Sequence, residues 1–289
     1  MYYLRYVVLR MAQERAHKNQ NGLGILEAGA SRENPWNTWI SSLLAEGIQV
    51  ISAEGAGQGE ASLWITDDES FAKECVRCGR PVLGVLTEDN AGQGFDGVSY
   101  LVSDLVDVEP QYLEKVYRRQ AGIPWDVLET ERCQLRETTA RDADAFYEIY
   151  ADPSVTKHVE DLPGDRDAFT AWLQDYAKSV YEFLGYGIWT VCLKDGSVIG
   201  RAGLNLRGGF DDPELGYLIA KPWQGQGIAY EVCSAILEHA KTMGLTQVLA
   251  FAEPENKASI GLLAKLGFER KQEINLDGKD CIEFSMELT

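Results

Sequence analysis

Apolar positions follow two different patterns along the chain, and the change comes near residue 130. Before it, short runs rich in β-branched and aromatic residues alternate with helical stripes. ASLWITDD (61–68), PVLGVLTED (81–89), VSYLVSDL (98–105) and IQVISA (48–53) read as buried strands. NTWISSLLAEG (37–47) reads as a helix. ESFAKECVRCG (69–79) does too, with Phe71, Cys75 and Cys78 at spacings of four and three and Gly79 as its stop. EPQYLEKVYRRQ (109–120) sets Tyr112, Leu113, Val116 and Tyr117 on one helical face. The N-terminal MYYLRYVVLRMAQER, interrupted by Arg5 and Arg10, fits a buried-face helix or strand and not a signal peptide. These elements predict a small α/β domain with some parallel pairing.

Beyond the change the order is mixed. ARDADAFYEIYAD (140–152) and RDAFTAWLQDYAKSVYEF (166–183) are amphipathic helices. GIWTVCLKDGSVIGRAGLNLR (187–207) reads as a β-hairpin closed by a two-residue turn at Asp195-Gly196. PELGYLIA (213–220), TQVLAFAE (246–253) and CIEFSMEL (281–288) are strands; 228–244 and 256–268 hold helices. A Gly-Ile-Pro turn at 122–124 and a polar stretch mark the boundary. The expected organisation is an α/β (α+β) chain. Residues 1–130 form a smaller Rossmann-like α/β domain, and 131–289 a mixed sheet flanked by helices.

Composition narrows the function classes. The chain has 289 residues, 45% hydrophobic, with 27 basic and 45 acidic side chains and a net charge of −18. The deficit is spread, −8 over 1–130 and −10 over the rest. No basic stripe tracks a phosphate backbone, so nucleic-acid binding is not expected. Apolar runs fall far short of ~20 residues, so no membrane span is expected. Six cysteines without an export signal fit reduced thiols in the cytoplasm. Cys75 and Cys78 form a CxxC with no second pair, and the three histidines are far apart, so no metal site is expected. An acidic surface suits a cationic partner, or simply solubility.

Gly-Gln-Gly occurs three times, in EGAGQGEAS (54–62), NAGQGFDGV (90–98) and WQGQGIAYE (223–231). Backbone amides cradle a phosphate best where a helix begins directly after the loop. The first two loops lead into strands and read as turns. The third lies between a strand and a helix with Ile228, Ala229, Val232, Cys233, Ile236, Leu237, Ala240 and Met243 on one stripe.

Gln224-x-x-Gly227-x-Ala229 resembles the pyrophosphate-binding signature of the GNAT superfamily of acetyl-CoA-dependent N-acetyltransferases. PELGYLIAKPWQGQGIAYE resembles its RimJ/RimL-like branch, as does NKASIGLLAKLGF through Asn256, Ser259, Lys265, Gly267 and Phe268. The resemblance implies that the backbone of Tyr217, Leu218, Ile219 and Ala220 pairs with the pantetheine arm of acetyl-CoA. It implies that the amides of Gln224, Gly225, Gln226, Gly227, Ile228, Ala229 and Tyr230 hold the pyrophosphate. Asn256 and Ser259 would lie near the thioester, with Lys265 further along the same helix, and no metal is required. The expected acceptor is a primary amine, of a small molecule or a peptide N-terminus, in a cytoplasmic enzyme for which a homodimer is among the expectations.

Acetyl transfer needs a neutral amine, so a base is wanted, together with a group that protonates the departing thiolate. Glu214, just before Leu215-Gly216-Tyr217, is the candidate base; a solvated strand-edge role is its alternative. Ser259 is the candidate at the sulfur, and capping or packing its alternative. Many family members carry a tyrosine seven residues after the asparagine; here Leu263 stands there, which leaves Tyr217 and Tyr230 as substitutes. Tyr147, His158, Glu160, Tyr186, Trp189 and Asp211 are candidate acceptor-site liners, where packing competes with contact. The Leu263 departure also sustains a rival: a catalytically silent acetyl-CoA-binding sensor.

LWITDDESFAKECVRCGRPVLGV faintly resembles the late segment of haloacid-dehalogenase-type phosphatases, in the spacing from Asp67 to Gly79. That family's DxD nucleophile pair is absent, and Phe71 stands where a second acid is expected. The implied first domain is therefore non-catalytic, shaping a substrate cleft or an oligomer interface. Read without the resemblance, Thr66-Asp67-Asp68 ends a strand and caps a helix.

Overall fold

A computed structural model describes residues 2–11, 35–53, 61–90, 92–159, 162, 164–276 and 278–288. The chain divides into two compact units, Met1–Ile123 and Pro124–Thr289.

In the first unit the N-terminal apolar run is a strand, β1 (Tyr6–Arg10). It is followed by α1 (Pro35–Ala45), β2 (Gln49–Ser52), β3 (Ser62–Thr66), α2 (Glu69–Arg77), β4 (Val82–Val85), β5 (Leu101–Val102) and α3 (Pro110–Gln120). Among the described residues every strand pair is parallel, in the order β2-β1-β3-β4-β5. This is a doubly wound arrangement, more uniformly parallel than the sequence pattern implied. Its strands are buried on both faces, which is why they read as continuous apolar runs. Val7, Leu63, Ile65 and Leu83 pack with Leu43, Leu113 and Val116. Phe71, Ala72, Cys75, Val82, Phe95 and Val98 form a second cluster. The buried Glu114 carboxylate accepts the Tyr3 and Leu4 amides at 2.9 and 2.8 Å, which satisfies a charge inside an apolar unit.

The second unit is one eight-stranded sheet, ordered β12-β13-β11-β10-β9-β8-β7-β6. Its elements are β6 (Asp126–Glu129), β7 (Cys133–Arg136), α4 (Ala143–Tyr150), α5 (Pro153–Thr156), α6 (Arg166–Tyr176), α7 (Glu182–Leu184), β8 (Ile188–Leu193) and β9 (Val198–Asn205). They continue with β10 (Glu214–Ile219), α8 (Ile228–Thr242), β11 (Gln247–Ala252), α9 (Lys257–Leu266), β12 (Glu269–Leu276) and β13 (Lys279–Glu287). Helices cover both faces. Leu215 and Ile219 of β10 pack with Ile228, Val232 and Ile236 of α8, while Leu218 packs with Phe146 of α4 and Phe169 and Leu173 of α6.

Four features depart from the sequence pattern. β6 falls in the polar stretch that marks the expected boundary, yet it pairs with β7 and so belongs to the second sheet. The division of the chain therefore falls at 123/124, before β6, and not after residue 130. β12 is an exposed polar edge strand with no apolar alternation to announce it. The helix expected over 166–183 is interrupted by a π turn at Ala177–Tyr181. The β8–β9 turn is longer than two residues: Gly196 N donates to the Leu193 carbonyl and Leu193 N to the Ser197 carbonyl, with Gly196 at φ 88°. A residue in the left-handed region after a turn gives the three-residue loop, and Asp195 Oδ1 fixes it by accepting the Ser197 amide at 2.9 Å.

Candidate active site

All neighbouring strands of the second sheet are antiparallel except β10 and β11, which run parallel. These two meet at the single register pair Glu214↔Leu249, with Leu249 N donating to the Pro213 carbonyl at 2.8 Å. On its other side β10 pairs with β9 over its whole length. Ala220 N donates to Ile199 O at 2.7 Å, which sets the alternation. The even-numbered residues turn their peptide groups to β9, and Tyr217 and Ile219 turn theirs toward the gap where β11 has left. The Ile219 carbonyl takes the Gln224 side-chain amide at 2.8 Å. Beyond Glu214 no residue of β10, Tyr217 and Ile219 included, is in register with β11. Backbone groups beside such a gap form a ready edge for an extended ligand.

The chain leaves this gap through a short 3₁₀ turn, Lys221–Trp223, into the exposed loop Gln224–Gly227 and then α8. Gly225 and Gly227 have φ of 73° and 81°, a region glycine enters without strain. Gln226 Nε2 donates to the Pro222 carbonyl at 2.8 Å, closing the loop on itself. Gly227 is the N-cap of α8 and has no side chain to cap with. α2 and α9 differ: Asp68 caps the first through the Phe71 amide, and Asn256 the second through the Ser259 amide, each at 3.1 Å. The first amides of the fifteen-residue α8 thus point out unsatisfied, at the positive end of its dipole. Ile228 is buried, Ala229 packs partly against the core, and Tyr230 is exposed. Of the predicted cradle, 224–227 and Tyr230 are accessible while Ile228 anchors the helix beneath them.

One residue that sequence reasoning missed belongs here. The Arg132 guanidinium donates from Nη1 to the Gln226 carbonyl at 2.8 Å and from Nε to Glu231 Oε2 at 2.6 Å. Its backbone amide donates to Glu231 Oε1 at 2.8 Å. Burial disfavours the charged Glu231, but the hydrogen bonds from Thr130 and from Arg132 outweigh it and hold its carboxyl below the usual range. Arg132 therefore adds a cation beside the loop and neutralises the acid in the first turn of α8. No local pattern signals this contact, because 99 residues separate the partners.

Near the root of the gap, Glu214 Oε2 accepts the Arg207 Nε–H at 2.7 Å, in a pair whose side chains are 14% and 25% exposed. The expected base thus sits beside a permanent cation at the point where β10 and β11 part. Across the gap, Tyr217 and Ser259 hydroxyls lie 2.6 Å apart. Burial pushes the Tyr217 phenol up to about 12, so it keeps its proton at neutral pH. The carbonyl oxygen of the Asn256 side chain is committed to its cap. Leu263, at the family's tyrosine position, is buried in the core, and Lys265 is exposed about 9 Å along α9 from Ser259.

The candidate liners are scattered. Trp189 is core, Tyr186 packs partly against it, Tyr147 donates to the Gly164 carbonyl at 3.2 Å, and Asp211 is exposed. Glu160 lies outside the described residues. His158 differs: its Nδ1 lies 2.7 Å from Glu253 Oε2, and Lys279 Nζ is 3.7 Å from the other oxygen. The hydrogen bond from His158 foremost, with Lys279 behind it, holds the Glu253 carboxyl below the usual range.

The other two glycine loops behave differently. Residues 92–97 run through turns into β5, and 54–60 lie outside the described residues. Cys75 is buried, its thiol pushed up to about 11 by desolvation, and Cys78 is exposed at the end of α2. No group of His, Cys, Asp and Glu that could hold a metal occurs among the described residues, and no described helix is long and apolar enough to cross a membrane.

Comparison with known proteins agrees with the geometry. A family model for the acetyltransferase (GNAT) domain matches residues 132–269. The uncharacterized N-acetyltransferase YoaA of Bacillus subtilis (strain 168) is 30% identical over 151 residues, 50% of this chain and 84% of YoaA. The ribosomal protein uS5-alanine N-acetyltransferase of Escherichia coli (strain K12) is 28% identical over 163 residues, 53% of this chain and 82% of that protein. A solved RimL structure, a ribosomal L7/L12 alpha-N-protein acetyltransferase, shares the fold with a TM-score of 0.50 at 14% identity, covering 58% of this chain and 96% of its own. The match, the splayed parallel strands and the uncapped glycine loop converge: the chain belongs to the GNAT family of acetyltransferases, whose domain occupies its second unit.

Proposed function

We propose that the second unit transfers the acetyl group of acetyl-CoA to a primary amine by direct attack within a ternary complex, in the cytoplasm. The observation that carries this reading is the unpaired edge of β10 leading straight into the uncapped start of α8. An extended pantetheine arm fits the edge at Tyr217–Ile219, and a pyrophosphate fits the amides of 224–230. Arg132, bonded to the Gln226 carbonyl, sets a guanidinium beside that loop. Ser259 and Tyr217 serve the sulfur: a phenol that holds its proton, bonded to a hydroxyl, can donate to a thiolate as it forms. Asn256 orients this group by fixing the first turn of α9. Glu214, already paired with Arg207, suits charge-holding at the root of the gap better than proton acceptance. The acceptor is a small cationic amine or a peptide N-terminus. The first unit carries no chemistry in this scheme.

The test is thiol release from acetyl-CoA with a panel of polyamines, aminoglycosides and peptides with free N-termini, read beside calorimetric binding of acetyl-CoA. Release with at least one amine is expected. Binding without release on every amine would instead identify a sensor.

A further inference from the structure

We infer that His158, oriented by Glu253, is the base that takes the proton from the acceptor amine; this rests on the acetyl-transfer reading of the second unit. His158 lies just after α5, in the connection between α4 and α6, and Glu253 is the first residue beyond β11, at the end where that strand has diverged from β10. The Glu253 carbonyl accepts the Asn256 amide at 2.9 Å, so Glu253 belongs to the same turn that starts α9 and presents Ser259. The 2.7 Å bond between His158 and Glu253 joins segments 95 residues apart. It ties the imidazole to the strand end that borders the reacting position.

The chemistry of the pair follows from which nitrogen is engaged. A carboxylate beside Nδ1 favours the tautomer with the proton on Nδ1 and leaves the Nε2 lone pair as acceptor. Nε2 has no partner among the described residues, and the imidazole side chain is 17% exposed, neither sealed in the core nor fully solvated. Glu253, kept ionised by this bond, also stabilises the imidazolium once the proton arrives, as the orienting acid does in hydrolase triads. Lys279 faces the same carboxylate from the β12–β13 hairpin at 3.7 Å, and the Lys157–Glu255 pair lies at 3.9 Å on the two segments that meet here. Cys281 of β13 also feels the Glu253 charge. Glu214 lacks this freedom because Arg207 holds it.

In the step, an N–H bond of the ammonium breaks, its electron pair stays on nitrogen, and the proton moves to Nε2. The amine attacks the thioester carbonyl, a C–N bond forms and the C–S bond breaks. Nitrogen gives up two protons in all. One ends on the thiol through the Tyr217–Ser259 hydroxyls, and the other leaves through His158 to water. The products are the amide, the free thiol and one proton.

The experiment measures thiol release from acetyl-CoA between pH 5.5 and 9, with an alanyl peptide bearing a free N-terminus, with spermidine, and with hydroxylamine, which is neutral throughout most of that range. His158→Asn keeps a donor for Glu253 and removes the base. It is expected to lower kcat/KM for the better of the two protonated amines by 10-fold or more and to abolish the acidic limb that belongs to the enzyme. The hydroxylamine rate should stay within about 2-fold, and calorimetric binding of acetyl-CoA should be unchanged. Glu253→Gln removes the carboxylate that orients the imidazole, so the rate with the protonated amines should fall several-fold. A His158→Asn protein with the wild-type profile overturns the assignment while leaving acetyl transfer intact. A wild-type protein that binds acetyl-CoA and acetylates none of the three overturns both. An equal loss with all three nucleophiles shows a positional role and also overturns it.

Discussion

The two parallel strand pairs at the hearts of the two sheets behave differently. β1 and β3 pair at five successive positions, from Tyr6↔Ser62 to Arg10↔Thr66. β10 and β11 pair at one, Glu214↔Leu249, and then separate. The same contrast holds at the helices that follow. α2 begins at Asp68, whose carboxylate caps the Phe71 amide, whereas α8 begins at Gly227, which caps nothing. At these central strands the first unit pairs throughout, whereas the second leaves the β10 edge beyond Glu214 unpaired with β11 and the helix that follows it uncapped. Since an unsatisfied buried peptide group costs about 1–3 kcal/mol, such a place persists where a ligand completes it. The candidate binding place is a local shortage of internal partners.

The comparison can be broken most forcefully at the loop. Gly227→Val forces a β-branched side chain to a φ of 81° at the head of α8. Acetyl-CoA affinity should fall by about 100-fold, some 2.7 kcal/mol, while Gly92→Val, in the turn before β5, should leave it unchanged; calorimetry with both variants reads the difference. Next come the hydroxyls. Ser259→Ala and Tyr217→Phe should each lower kcat by about 10-fold or more with little change in acetyl-CoA affinity, and the double variant should lose little beyond the larger single loss, because the two act as one unit. Glu214→Gln should lower stability by about 1–3 kcal/mol, because it leaves Arg207 beside a neutral partner. The acidic limb of the pH–rate profile should remain; its disappearance would restore Glu214 as the base. The smallest effect belongs to the first unit: Asp68→Ala should cost about 1 kcal/mol in a denaturant melt, through the lost cap, with acetyl-CoA affinity untouched.

Much of this was legible in the residues, for reasons that differ by element. The α8 stripe was readable because helical burial is periodic, and six of its eight positions are fully buried. The third Gly-Gln-Gly is set apart by what comes after it: β5 follows 92–94, and a helix starts directly after 225–227. β6 and β12 were not legible, because polar edge strands carry no apolar alternation. The splay of β10 from β11 was implied by family resemblance alone, since both strands look equally able to pair. The resemblance implies a cofactor contact for the Tyr217 backbone and makes its side chain a substitute for the missing tyrosine, but nothing local announces that its hydroxyl meets Ser259 42 residues later. The Arg132–Glu231 and His158–Glu253 pairs were hidden for the same reason, as each spans more than ninety residues. Local pattern reports burial and turns; contacts between distant polar side chains depend on the completed sheet.

The central claim is that the unpaired β10 edge and the start of α8 are the acetyl-CoA site. Amide hydrogen exchange, followed residue by residue with and without saturating acetyl-CoA, tests it most directly. The account predicts new protection at the amides of Tyr217, Ile219 and 225–230, with no change at the paired strands β1 and β3. Bound acetyl-CoA that leaves those amides exchanging as before would contradict it.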